Sequence, residues 1–272
     1  MKRTLCRKRP LLVAFTSIVL YSGAACADGV GAAPLQADDN GFTILSNATN
    51  VTHWGLGAGV GIESSPYRGD GSRVAPIPLI SFDDKWVHAF GTTVDLKVGK
   101  WNDVTVALRG KFAIFDGYKG SDAAVLNGMA DRGGAFWYGP ALAWKTAFGT
   151  LSADYLLGGN KGQMVNLAFS KSFDLGNWSI EPHAGIDWLS SKYVNYYYGV
   201  RPSEVRAGRP EYSGKAVYDT SIGTRVDYMF TRHQSVSLDL GVSRLGNGIT
   251  DSPIVGRRYI PAVRIGYLYQ FK

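Results

Sequence analysis

Beyond residue 27 the chain has no apolar run long enough to cross a membrane as a helix. Apolar residues nevertheless return at every second position, in segment after segment. The last segment shows the pattern most plainly. In Pro261–Phe271, Val263, Ile265, Tyr267, Tyr269 and Phe271 fall on one face of an extended strand. Ala262, Arg264, Gly266, Leu268 and Gln270 fall on the other. A bulky apolar face backed by a small or polar one suits a half-buried soluble strand, and equally a strand tilted across a bilayer. Alternation alone does not say which face is inside.

The N-terminus bears on that choice. Lys2, Arg3, Arg7, Lys8 and Arg9 precede an apolar stretch from Leu11 to Ala25, and Ala25-Cys26-Ala27 follows. This is the layout of a secretory signal peptide, with cleavage expected after Ala27. Cys26 opens a lipoprotein alternative whose box reads Gly23-Ala24-Ala25-Cys26, with Gly23 standing where such a box usually has Leu. Residues 28–41 are small and polar and are expected to form a mobile N-terminal segment, leaving 42–272 as the folded domain.

Removing residues 1–27 changes two global properties. Of the 29 Lys and Arg, five lie in the leader, so 24 face 22 Asp and Glu, and the +7 net charge falls to +2. The basic balance is therefore a property of the leader and gives no reason to expect a nucleic-acid partner. Both cysteines, Cys6 and Cys26, also lie there, so the remainder has neither a disulfide framework nor a thiol nucleophile. A secreted chain without an apolar helix can still span a membrane by closing its backbone hydrogen bonds between strands, as a barrel.

Eleven segments carry the period-two pattern. They lie at 54–62, 74–82, 90–98, 104–114, 136–144, 151–157, 165–169, 178–188, 220–230, 236–242 and 263–271. Several reach the length a tilted membrane strand needs. Trp86 with Trp101, and Trp178 with Trp188, bracket two of the strand regions as interfacial belts do. Short connections (99–103, 147–150, 174–177, 231–234) alternate with longer ones (116–134, 190–215, 244–258), and 158–162 is an undersized member of the long set. Short periplasmic turns and long outer loops belong to a bacterial barrel. The expected fold class is all-β, a transmembrane antiparallel β-barrel of the bacterial outer membrane, surrounded by outer-membrane lipid. Such barrels have an even strand number, so eleven is off by one. Phe42–Ala48 as an added strand makes twelve; dropping 74–82, which carries Pro76 and Pro78, makes ten. Twelve is preferred.

Candidate chemistry is sparse. His53, His88, His183 and His233 share no metal-ligand spacing, and no phosphate loop or nucleophile elbow is present. Glu181, His183 and Asp187 share one face of one strand, but no partnering nucleophile is evident. They read best as a lumen network pairing across the barrel with Arg109, Lys111, Arg225 or Arg264. The row Gly55, Gly57, Gly59, Gly61 reads either as a cleared lane for a ligand or folded-in loop, or as a tight bend with close backbone packing; the bend is preferred. Tyr196-Tyr197-Tyr198 lies in an outer loop, where tyrosines either recognise partners or rim the interface. No catalytic, cofactor-binding or metal residue is assigned, and no cofactor is expected.

Three pieces of the sequence resemble the MipA/OmpV family of outer-membrane proteins, the MltA-interacting scaffolds. The first is the Gly-alternating strand followed by Pro66-Tyr67-Arg68-Gly69 and Pro76-Ile77-Pro78. The second is Tyr197-Tyr198-Gly199-Val200 with Glu204 and Tyr212, and the third is Arg244-Leu245 with Asp251-Ser252-Pro253-Ile254-Val255. The chain departs from the usual barrel ending by carrying Lys272 beyond Phe271. The resemblance implies a non-enzymatic scaffold linking a lytic transglycosylase to a bifunctional murein synthase, and other members look like surface antigens or adhesins. A narrow channel is the alternative function.

Overall fold

The computed structural model describes residues 43–44 and 50–271. The expected leader (1–27) and N-terminal segment (28–41) lie outside the described residues. Twelve antiparallel strands close into one ring. They are β1 (His53–Ser64), β2 (Ser72–Asp83), β3 (Val87–Phe90), β4 (Thr93–Trp101), β5 (Val104–Phe112) and β6 (Phe136–Thr146), then β7 (Gly149–Leu157), β8 (Gln163–Ser170), β9 (Trp178–Leu189), β10 (Val217–Met229), β11 (Gln234–Arg244) and β12 (Tyr259–Gln270). The ring closes where β12 pairs β1, from Ala262 opposite Glu63 to Gln270 opposite Gly55. β8 is interrupted at Lys171 and Ser172 and resumes as Phe173–Leu175 against β9 in unchanged register.

The expected count holds, but the twelfth strand is not the expected one. Of Phe42–Ala48, only Thr43–Ile44 is described; it pairs with Lys100 and Gly99 on the edge of β4 and is not part of the ring. The missing strand is β3. The alternating run 90–98 hides a hairpin turn at Gly91-Thr92, where Gly91 takes φ 58° and lets the chain reverse. The same reversal places Trp86 and Trp101 on one side of the membrane, so they do not bracket a strand; Trp178 and Trp188 do, at the two ends of β9. Residues 74–82 are a strand despite Pro76 and Pro78, paired with β1 along its length.

The burial pattern inverts that of a soluble protein. Outward residues such as Leu96, Leu108, Trp144, Ile186, Ile222, Leu240 and Ile265 are exposed, while Asp95, Arg109, Arg225 and Asp239 inside are at most 3 % exposed. Apolar outside and charged inside is the arrangement lipid selects. Two strand pairs approach closely at glycines. A Cβ on Gly57 would lie 2.0 Å from the Tyr267 carbonyl oxygen, and one on Gly139 would lie 2.0 Å from that of Tyr155. Backbones approach this closely only beside glycine. These close approaches fall at β12–β1 and at β6–β7. The close backbone packing expected of the glycine row is present at Gly57. At Gly61 the folded-in loop also holds, since a Cβ there would meet the Phe115 ring at 2.6 Å.

Candidate functional site: a packed lumen under a folded cap

Strand register builds the lumen's charge network. Glu181, Arg225, Asp239 and Arg264 face one another on four consecutive strands, β9 to β12, as a row of alternating sign. Arg225 bonds Glu181 at 2.9 Å and Asp227 at 2.7 Å. Asp239 lies 3.2 Å from His183 Nε2 and 3.3 Å from Arg264, whose other nitrogen reaches Glu63 at 3.2 Å. On the other half, Arg109 grips Asp95 through two bonds of 2.7 and 2.6 Å and donates to Asp154 at 2.9 Å. Arg109 stands opposite Gly139, and without a side chain there the guanidinium passes over β6 to β7. Asn166 donates to the other oxygen of Asp154.

The expected lumen network is thus present: Glu181 pairs with Arg225 as expected, while Arg264 and Arg109 take carboxylates outside the Glu181–Asp187 cluster. Arg109 does not meet Glu181 or Asp187; the pairs run along the wall between near-neighbour strands. Glu181 and His183 are each committed to an ion pair or hydrogen bond and not to a nucleophile. Among the described residues no three His, Cys, Asp or Glu side chains gather as a metal site. Asp95, Arg109, Asp154, Arg225, Asp227 and Asp239 are almost fully buried, while His183, Arg264 and Glu63 stay partly exposed, so side chains occupy much of this level of the lumen.

Above the network the outer loops fold into a cap, the outer side being assigned by loop length. α1 (Ser191–Tyr198) is capped by the Ser190 hydroxyl, which accepts from Tyr193 N. The helix buries Tyr193, Val194, Tyr197 and Tyr198. They pack with Tyr67, Leu126, Trp137, Val200, Ile249 and Ile254 in the main apolar core. The tyrosine run divides: Tyr196 is only partly buried at the edge of this core, whereas Tyr197 and Tyr198 lie inside it. Tyr197 and Tyr198 face neither a partner nor the interface but hold the loops together, because a lumen mouth gives their rings apolar neighbours.

The three sequence pieces singled out above converge here. The Tyr67 hydroxyl donates to the Tyr197 carbonyl at 3.1 Å, Arg68 N to Ile254 O at 2.8 Å, and the Ser252 hydroxyl to Tyr198 O at 2.6 Å. Val200 bridges Tyr212, whose hydroxyl donates to Gly248 O at 2.9 Å. Glu204 joins the β5–β6 loop to this unit. It accepts from Arg132 at 2.9 Å, Ala130 N at 3.1 Å and Arg201 N at 3.1 Å. Burial opposes its ionisation, but the two backbone N–H groups and Arg132 outweigh burial and hold its carboxyl below the ordinary value. Burial pushes the Tyr118 hydroxyl up to about 12 and those of Tyr67 and Tyr198 well above their usual range, so the core stays uncharged.

Comparison with known proteins places this architecture. The family model of the MltA-interacting protein MipA matches residues 56–271. The chain belongs to the MltA-interacting protein family. It is an outer-membrane barrel of that family and resides in the bacterial outer membrane. The MltA-interacting protein of Escherichia coli (strain K12) is 27 % identical over 242 residues, covering 84 % of this chain and 96 % of that protein. Outer membrane protein OmpV of Vibrio cholerae serotype O1 is 33 % identical over 110 residues, 39 % of this chain and 43 % of that one. Among solved structures, the NanC porin covers 79 % of this chain and 98 % of its own at 11 % identity, with a TM-score of 0.42. Cap and charge row both fall within the residues the MipA family model matches.

Proposed function

We propose that this barrel works by binding partners while anchored in the outer membrane, and not by conducting solutes. One observation carries the reading: the lumen is obstructed at two levels, by the packed ion pairs and by the apolar core of the cap. Its largest built surface is the outer one, where five loops form a single folded unit, as suits a surface antigen or adhesin. On the periplasmic side the described connections are short turns, at 84–86, 102–103, 147–148, 176–177 and 230–233. The Escherichia coli relative's name speaks of an interaction with MltA. Carried to this chain, that supports binding of an MltA-like partner through those turns and residues 28–41; the lytic transglycosylase and murein synthase scaffold is the fuller reading that the family resemblance implies.

Two measurements on full-length protein separate the readings. Purified barrel in planar bilayers is expected to be electrically silent, and cross-linking in intact membranes to recover a partner. Stable, large single-channel conductance with no recovered partner would overturn the binding role in favour of the channel. Deleting residues 28–41 weakens capture if the partner is periplasmic. Antibody or cell-surface binding lost on altering exposed cap residues, with tail deletion silent, assigns the outer face.

A further inference from the structure

Arg73, Arg109, Arg132, Arg225 and Arg264 each hold a carboxylate within ion-pair distance. At the outer rim above β11, β12 and β1, four other arginines do not. Arg68, Arg244, Arg257 and Arg258 are exposed, and among the described residues none of them has an acidic partner. Arg258 donates to the Thr250 hydroxyl at 3.4 Å. Arg257 donates through Nη1 alone, to the carbonyls of Ser65, Asp70 and Gly71 at 3.0, 3.1 and 3.4 Å. Those bonds fix its stem and leave Nε and Nη2 unused.

Arg244 fixes the depth of this rim. By strand parity it shares the outward face of β11 with Leu240, while Asp239 points in. It stands opposite Tyr259 on β12 and Thr220 on β10. Tyr259 and Tyr218, at the outer ends of β12 and β10, are 58 % and 66 % exposed on the same outward surface. On a lipid-facing wall a cation costs least at the interface, where tyrosines also gather. Arg244 therefore lies at headgroup depth. Arg257 and Arg258 directly precede Tyr259, so they stand one or two residues farther out. There Arg68 and Arg257 line a crevice of about 410 Å³ together with Gly69, Gly71 and Gly256. Gly69 and Gly71 leave open space where a side chain would stand. The carboxylate in the lining, Asp70, is held by Arg73 at 2.9 Å. Beneath the rim the outward wall is apolar, with Ile62, Leu240 and Ile265 all exposed.

We propose that this rim binds the phosphate of an outer-leaflet lipid headgroup. Arg68 and Arg257 take the phosphate in the crevice, Arg244 and Arg258 add charge beside it, and the acyl chains descend along Ile62, Leu240 and Ile265. A guanidinium fork matches the oxygens of a phosphate, and Nε with Nη2 of Arg257 supplies one such fork. Basic residues at a membrane surface draw anionic lipid, and a lipid brings its phosphate to this depth already. A free anion would make no use of the tyrosines or of the apolar wall below, so lipid is the source that fits the whole surface.

The test titrates full-length protein in dodecyl maltoside micelles with lipid A and with dephosphorylated lipid A, and reads the bound fraction by native mass spectrometry. Saturable binding of lipid A, well tighter than that of the dephosphorylated lipid, is expected. Arg244→Ala removes a side chain that bonds nothing in the protein, so it folds as the wild type does. It is expected to weaken lipid A about five-fold, the worth of one arginine at a charged membrane surface. Arg68→Ala combined with Arg257→Ala should weaken it roughly twenty-fold, and Lys at both positions should restore part of the loss. Arg232→Ala, which removes an exposed arginine from a periplasmic turn, should change nothing. Heat-modifiable mobility reports that each variant is assembled. Equal affinity for the two lipids, or an Arg232→Ala loss as large as that of Arg244→Ala, would overturn the site. So would full displacement of lipid A by millimolar inorganic phosphate, which would assign the crevice to a free anion.

Discussion

Single side chains in this wall are read by the side they face. Tyr267 and Phe271 face outward at 42 % and 45 % exposure, and Arg264 faces in, bonded to Glu63 and Asp239. A charge on the lipid face costs roughly 1–4 kcal/mol by depth, less for acidic than for basic residues. Tyr267→Asp and Phe271→Asp are expected to reduce assembled barrel sharply, and Arg264→Ala less, as read by heat-modifiable gel mobility. Equal tolerance of all three would reverse the inside–outside assignment. Gly57→Ala must push its methyl into the β12 backbone and is expected to destabilise by the ~1–3 kcal/mol of an overpacked site or more. Gly71→Ala, where a Cβ meets nothing within 4 Å, should be near neutral. Arg225→Ala leaves Glu181 and Asp227 as buried carboxylates without their cation, a loss of about 3–5 kcal/mol in urea unfolding from vesicles.

Loops and helices carry the cap, and their stability is tied to pH through Glu204. Its folded carboxyl titrates below the ordinary 4.5, so it contributes stability that is complete above that value and lost as pH falls through the folded one. The near-ultraviolet circular dichroism of the aromatic core should therefore weaken on acidification below about 4.5 in the wild type. Glu204→Gln should start weaker at neutral pH and change less. A wild-type signal flat to pH 3, matched by the variant, would remove Glu204 from the cap's support. At this scale the sequence was partly legible. Alternation located eleven strands, because each must show lipid one face. It missed β3, because a two-residue Gly91-Thr92 turn leaves the period-two pattern unbroken on either side.

The molecule as a whole is a ring closed on two levels, and that closure predicts how it fails. Removing residues 191–213, which carry α1, is expected to leave planar bilayers silent, since the charge network beneath stays packed; large conductance from that deletion alone would show that the cap is the sole seal. The intact chain is expected to fractionate with outer membranes, and N-terminal sequencing to begin at Asp28. A diacylglyceryl mass on Cys26 would replace that start with a lipid anchor. The candidate site was only half visible in advance. Glu181, Arg225, Asp239 and Arg264 could be assigned to the lumen from parity alone. Their pairing into one row needed the register of four strands, which no single segment encodes.

The sequence by itself determined the class of solution. Lipid satisfies no backbone group, so if a secreted chain without an apolar helix is to span a membrane, its period-two strands have to close into a barrel with the polar face inward. It also determined which connections are long. Only the tertiary structure decided what those connections build. Tyr67 meets Tyr197 across 130 residues, Arg132 meets Glu204 across 72, and Arg257 reaches the Ser65 carbonyl across 192. Contacts at such separations leave no local periodicity to read. The unpaired edge at Pro76 and Pro78 is of the same kind. The prolines stand in the sequence as strand-breaking residues, and only the arrangement of their neighbours shows that, among the described residues, no strand pairs with them on the side away from β1.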